Sequence, residues 1–428
     1  MTYRPYIQGC RTAPVLCALV VLVAFLGLST LSAAQVLTTL YYFNGSGDAI
    51  WPNTPLTFDS SGNLYGASIF GGTSTCSLGN GCGTVFELSP PSFPGGAWTE
   101  QVIYSFKGGS DGSEPQGQLV IDKKGVLYGT TEFGGTPRSG CQGFGCGTLF
   151  QLIPPSVSGG VWTKRTVHAF SGGTDGSYPA GLVLASDTLY GAANSGGAYG
   201  SGNIYSITFS GGGFTQSVIY NFNASLGDAG FPYNLFRDSL GNLYGTSTYG
   251  GAYGLGSIYE LSPPTSAGGA WTEQVLYSSP NFSSKGYEPG FSLAIDSQGS
   301  LWGTMTLGGA SSYGAIYRLH PPASSGDSWV YSDIYNIAPG YSTSAMVLNH
   351  SNQTFYGVGG GGNGTIYQVS KTGSDTPWTY STIYSFPFDD SSGDDPFEAP
   401  VLDASGNLYG TTEEGGLNGD GTVWMLTP

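Results

Sequence analysis

The chain has 428 residues, of which 9% are charged, and it carries 72 Gly, 25 Pro, 29 Tyr and 22 Phe. This balance disfavours long helices and intrinsic disorder, and suits many short strands joined by turns. A formal charge of -16 at pH 7 argues against nucleic acid and anionic lipid as partners.

At the N-terminus, Arg4 and Arg11 precede an apolar run from Val15 to Leu28, followed by small residues at Ser32 and Ala34. That pattern predicts a secretory signal peptide over residues 1–34, cut before Gln35. The rival reading, a transmembrane anchor, needs about 20 apolar residues, and this run has fourteen. Cleavage removes both arginines and takes the mature charge to -18. The expected location is secreted, cell-surface or periplasmic, with no membrane contact after cleavage.

From Val36 onward the chain repeats itself. "LYG" stands at Leu64, Leu127, Leu189, Leu243 and Leu408, with "LWG" at Leu301 and "FYG" at Phe355. In six of these seven copies a Gly-Gly pair follows, which predicts a strand and its turn. A second strand follows each copy, from "GTVFEL" at Gly83 to "GTVWML" at Gly421, and in four units a proline pair ends it. A third phrase, such as "WTEQVIYSF" from Trp98, occurs six times, and an apolar stretch such as "GQLVID" opens each unit. The seventh copy of the third phrase is displaced to the start of the mature chain, as "VLTTLYYF" from Val36.

Four strands in each of seven units, at intervals of 53 to 63 residues, suit propeller blades and are too long for β-helix coils. The displaced strand supplies what the last unit lacks and closes the ring, removing the sheet edges at the seam. The expected fold is therefore all-β: a single seven-bladed β-propeller over residues 35–428, its last blade completed by the N-terminal strand. Leu64 and Tyr65 are expected to be core residues on opposite faces of one blade. The Gly after each aromatic is expected to let neighbouring sheets approach.

Chemistry is sought where one blade departs from its sisters. Cys76 and Cys82 fall in one loop of blade one, and Cys141 and Cys146 in the equivalent loop of blade two. Export favours two local disulfides, with zinc as the alternative. "FDDSSGDDPFE" places Asp389, Asp390, Asp394, Asp395 and Glu398 before the last blade, oxygen ligands that calcium accepts but without an EF-hand spacing, so a solvated acidic loop is the competing reading. No other cofactor is implied. Asp111 and Asp175 recur as Asp-Gly and read as turn residues. "GGSDG" around Ser110 matches a hydrolase nucleophile pattern, but no strand-to-helix elbow is expected there. His168, His320 and His350 have no partner at triad-like spacing, and His168 stands where blade one has Tyr104.

Glu132 and Glu413 occupy equivalent places in blades two and seven, where other blades have Ile69, Asn194, Thr248 and Thr306, and Glu414 follows Glu413. They are the candidate ligand-binding carboxylates.

The phrases "GNLYGTTEEGG" and "GDGTVWMLTP" resemble the bacterial tandem-repeat proteins of the Gloeo/Verruco repeat, over nearly all of Val36 to Pro428. The resemblance implies an exported protein and carries no catalytic residues across. It also implies a C-terminal surface-anchoring signal in some members, and this chain is expected to lack one. With no catalytic constellation in view, the expected function is a noncatalytic binding or scaffold module for an extracellular protein or glycan, most simply as a monomer. The alternatives are a carbohydrate-active hydrolase or lyase using Glu132 and Glu413, and a calcium-stabilised adhesion module.

Overall fold

In the computed structural model each "LYG" phrase forms the second strand of an antiparallel sheet, four-stranded in six blades and five-stranded in blade one, whose inner strand is split into Ala49–Pro52 and Thr57–Phe58. The structure describes residues 35–427 except 46, 77–78, 136–140, 142, 158, 267, 281–284, 325–326, 339–344, 352, 361, 374–375 and 389–390. The expected signal segment, residues 1–34, lies outside the described residues.

Seven sheets follow one another along the chain as blades, six of them running outward in sequence order from an inner to an outer strand. Blade two is representative: Ser113–Ile121 is innermost, then Leu127–Phe133, Thr148–Ile153 and the outer Thr163–Ala169. No α-helix occurs among the described residues. In the last blade, Val401–Leu402, Leu408–Thr412 and Thr422–Thr427 are completed by Val36–Tyr42. The displaced phrase therefore does close the ring.

Packing explains why the second strand is apolar on both faces. Leu64 clusters with Tyr409 and Val423 of blade seven, whereas Tyr65 clusters with Leu119, Leu127 and Phe150 of blade two. Adjacent residues of one strand thus serve the two neighbouring interfaces. The outer-strand Trp of the next blade then covers the aromatic: Trp162 on Tyr65 at 6.0 Å, Trp271 on Tyr190 at 5.7 Å and Trp378 on Trp302 at 4.6 Å between ring centroids. Trp98 of blade one covers Tyr409 of blade seven at 6.2 Å, so the same contact crosses the seam.

The glycine after each aromatic has a different role from the one expected. Gly245 pairs with Tyr259 on the third strand of its own blade, and the Tyr259 ring lies where a Cβ would project. Gly66 under Phe86, Gly129 under Phe150 and Gly410 under Trp424 repeat this arrangement. Glycine is required by a ring folding over it within one sheet, and the approach of neighbouring sheets is set by the residues on either side.

In five of the seven units an Asp ends the opening stretch and holds the next turn. Asp403 Oδ1 accepts the amides of Ser405 and Asn407 at 2.8 and 2.9 Å, and its Oδ2 accepts from the Tyr409 hydroxyl at 3.2 Å. Asp59 and Asp238 repeat these contacts in blades one and four.

Candidate ligand face and central channel

In a four-stranded antiparallel blade, the loop that enters the inner strand and the loop between the second and third strands lie at the same end. Backbone hydrogen bonds knit the two together: Gly72 N–H donates to Asp48 O at 2.8 Å, Gly135 to Gly109 at 3.0 Å and Gly251 to Asp228 at 2.8 Å. The Gly-Gly pairs make this docking possible. Gly134 has φ of 97°, and a Cβ there would fall inside the contact distance of Gly112 Cα.

Both disulfides form within these loops. Cys76 bonds to Cys82 and Cys141 to Cys146, with Cα separations of 5.1 and 5.2 Å. The pairing is local, as the spacing of the four Cys led one to expect. Cys82, Cys141 and Cys146 are buried, so the bridges are part of the packed face.

An acidic residue anchors the loop entering several blades. Asp111 accepts from the Tyr104 hydroxyl at 2.8 Å and from Lys164 Nζ at 2.9 Å. Asp175 accepts from the Ser171 amide at 3.0 Å and from the Ser171 hydroxyl, and lies 3.1 Å from His168 Nε2. His168 thus has an acidic partner, which spacing in the sequence did not show. Burial would raise the Asp175 carboxyl, but the hydrogen bonds from His168 and Ser171 outweigh it and hold it below the ordinary range. The Ser171 hydroxyl bonds the carboxylate rather than the imidazole, so the trio is a loop anchor and not an activated nucleophile. Ser110 sits exposed in a single 3-10 turn, Gly109–Asp111, away from any strand-to-helix elbow.

Two equivalent anchors have no basic partner among the described residues. Asp48 accepts from the Tyr41 hydroxyl at 3.0 Å beside Glu100, and Asp228 accepts from the Tyr220 hydroxyl at 3.0 Å beside Glu273. Glu100 and Glu273 stand where blade two has Lys164 and blade three has Gln216. Burial, followed by the adjacent Asp48, pushes Glu100 up to about 8; burial, followed by Asp228, does the same to Glu273.

The inner strands surround the central channel. Their register shifts between Gln116 and Val120, Ala180 and Leu182, Pro232 and Leu235, and Pro289 and Leu293. Such bulges re-aim side chains, and at this level the channel opens into a cavity of about 330 Å³. Its wall combines amides (Asn53, Gln116, Gln118, Asn234), rings (Tyr233, Phe291, Phe397) and two carboxylates, Glu398 and Glu413. Tyr233 and Phe291 are 4.6 Å apart between centroids, and Phe291 and Phe397 are 6.2 Å apart. Burial, then the Glu413 charge, pushes Glu398 up to about 8, opposed by the Ala399 amide. Burial, then Asp395 and Glu414, pushes Glu413 up to about 7.

Glu132 lines a neighbouring cavity of about 250 Å³ that shares Gln116, Ala180 and Tyr233 with the first. Burial raises its carboxyl, opposed by a hydrogen bond from the Gln116 amide. The two sequence candidates thus line adjoining cavities rather than one, and Glu132 lies within a strand rather than a turn. Glu414 is exposed at the rim, where its carbonyl accepts from the Asp394 amide at 2.9 Å. Asp389 and Asp390 lie outside the described residues. Among the described residues no three His, Cys, Asp or Glu side chains group as metal ligands. Glu398 stood out in the sequence only as one acid of the stretch before the last blade, and the amide set was not singled out. Their only signal is that inner-strand residues vary between blades while the second strand repeats.

Around the mouth, the second-to-third-strand loops present exposed aromatics singly: Phe144 at 52%, Tyr199 at 61%, Tyr253 at 60% and Tyr313 at 43% exposure. All four lie at the same end of their blades as Glu132 and Glu413.

Solved structures share this architecture at low identity. The extracellular domain of a protein described as the hybrid two-component system BT4673 of B. thetaiotaomicron is 12% identical with a TM-score of 0.53, over 91% of this chain and 39% of that one. A second structure of that extracellular domain, described as belonging to a one-component system, gives 13%, 0.52, 92% and 40%. The chain thus spans about two fifths of that extracellular domain. A protein described as a 6-phosphogluconolactonase of Bacteroides uniformis is 10% identical with a TM-score of 0.50, over 79% of this chain and 86% of that one. At such identities the likeness is one of fold. No curated protein matches the chain in sequence. The Gloeobacter/Verrucomicrobia repeat matches residues 28–186 and 142–358, more than half of the chain, and the protein belongs to that family.

Proposed function

We propose that the chain is an exported, noncatalytic binding module that takes an extracellular glycan at the channel mouth. The observation that carries this reading is the cavity to which blades one, two, three, four, five and seven contribute, walled by amides, aromatic rings and carboxylates. Sugars present hydroxyls to amides and apolar ring faces to aromatics, and this wall offers both. The exposed aromatics around the mouth extend the same chemistry over the face. Two disulfides and the fold shared with an extracellular domain support export. The surplus of negative charge disfavours polyanionic glycans. Calorimetric titration with cello-, xylo- and chito-oligosaccharides tests the reading: binding weakened by Phe291→Ala supports it, and no binding by any of them overturns it.

A second reading rests on Glu398 and Glu413. With ionisation near 8 and near 7 in one cavity, one can hold a proton while the other is charged, the division of labour of an acid and a base. Release of reducing ends from these oligosaccharides, abolished by Glu398→Gln and by Glu413→Gln, would favour a glycan-cleaving enzyme instead.

A further inference from the structure

The channel cavity holds two carboxylates, and among the described residues no Lys, Arg or His lines it and none of the three ion pairs involves Glu398 or Glu413. One loop anchor meets this problem with a base, Lys164 on Asp111, whereas the Asp48–Glu100 and Asp228–Glu273 pairs, like the channel, share their sites between acids. Beside the carboxylates, Tyr233, Phe291 and Phe397 form a continuous run of rings drawn from blades four, five and the entry to blade seven. Carboxylates next to aromatic faces are the complement of an organic ammonium, whose charge is attracted both by the anion and by the ring quadrupole. A hard metal ion would use only the carboxylate and amide oxygens of this wall, whereas an organic ammonium also uses the faces of Tyr233, Phe291 and Phe397.

We propose that the channel of this protein binds the ammonium group of a cationic organic ligand, such as an amine-bearing sugar, between the Glu398 and Glu413 carboxylates and the Tyr233–Phe291–Phe397 wall. This rests on the reading of the channel as the ligand site and names the charge of what enters it. In the unliganded channel a proton offsets this charge: the Glu413 charge raises Glu398, and the charges of Asp395 and Glu414 raise Glu413. Cation binding therefore displaces a proton, and affinity rises with pH through the range from about 7 to 8 in which these groups ionise.

Choline and its uncharged isostere 3,3-dimethylbutan-1-ol separate charge from shape, and choline has no proton of its own to lose near neutrality. Titration of the full mature chain is expected to show choline binding at least tenfold more tightly than the isostere at pH 8.5. Choline affinity should fall at least tenfold at pH 5.5 and be lost in Glu413→Gln. Glucosamine tested against glucose asks whether a sugar amine is held in the same way. Equal affinity for choline and the isostere, no detectable binding of choline, or choline binding unchanged in both Glu398→Gln and Glu413→Gln overturns the proposal. Neutral oligosaccharide binding that persists in those variants would leave the channel a glycan site while removing the ammonium assignment. Thermal melting of each variant, expected to match the parent at pH 5.5, separates a lost site from a lost fold.

Discussion

Replacing Glu273 by Gln should stabilise the protein at neutral and alkaline pH and do little in acid. Glu273 stands beside Asp228, which already accepts from Tyr220 and from the Ala229 amide at 2.8 Å, so the pair shares a site with no base in it. The folded state holds the Glu273 proton up to about 8, whereas an unfolded Glu releases it near 4.5. The folded chain therefore binds more protons between these values, and stability falls as pH rises from about 4.5 to 8. Each tenfold change in proton affinity corresponds to about 1.4 kcal/mol, so a dry site would lose about 4–5 kcal/mol over the full range. Glu273 is only partly buried, and solvent screening reduces this to about 1–2 kcal/mol. With about 2 cal/mol/K of unfolding entropy per residue over about 390 residues, that is a rise in Tm of about 1–3 °C at pH 8. Scanning calorimetry at pH 4.5 and pH 8 reads it directly, and Glu100→Gln should add a similar increment, since the two sites are far apart in sequence and in different blades. A variant that melts lower than the parent at pH 8, or gains equally at both pH values, would refute the reasoning.

Other features of the fold make equally specific predictions. The hydroxyls of Tyr205, Tyr259, Tyr317 and Tyr367 are buried with no hydrogen-bond partner among the described residues, and blades one and two carry Phe86 and Phe150 at this place; Tyr→Phe at all four should be neutral or stabilising by up to about 1 kcal/mol each in urea unfolding. Gly245→Ala should destabilise by about 1–3 kcal/mol, because the Tyr259 ring occupies the Cβ position. Removing Cys141–Cys146 as a Cys→Ser pair should cost about 2 kcal/mol on the loop-entropy account and lower Tm by about 2–3 °C, read by calorimetry, while leaving the blade count of the fold intact.

The repeat made the architecture legible because a residue that recurs in every blade can only be serving the blade. Leu64 and Tyr65 were readable as core for that reason, and the displaced Val36 strand was readable as the closing strand because one phrase was missing at the other end. The same logic failed for Gly245 and its equivalents, since a repeated glycine does not say whether its neighbour lies in the same sheet or the next. The channel was less legible still. Gln116, Tyr233 and Phe291 reach it through bulges in inner strands, and nothing in the local sequence fixes how a bulge re-aims a side chain. Glu132 and Glu413 were found as departures from the repeat, yet their cavities are set by which blades adjoin them, and Glu398 was visible only as one acid among several. The pairs Asp48 with Glu100 and Asp228 with Glu273 escaped notice because each joins a loop to an outer strand more than forty residues away.

The most direct test of the central claim, that the channel mouth is the ligand site, is calorimetric titration of cello-, xylo- and chito-oligosaccharides into the parent chain and into Phe291→Ala. The account predicts binding by at least one of these to the parent and an affinity at least tenfold weaker in Phe291→Ala, with Tm changed by no more than about 2 °C. Affinity that is undiminished in a folded Phe291→Ala protein would contradict it.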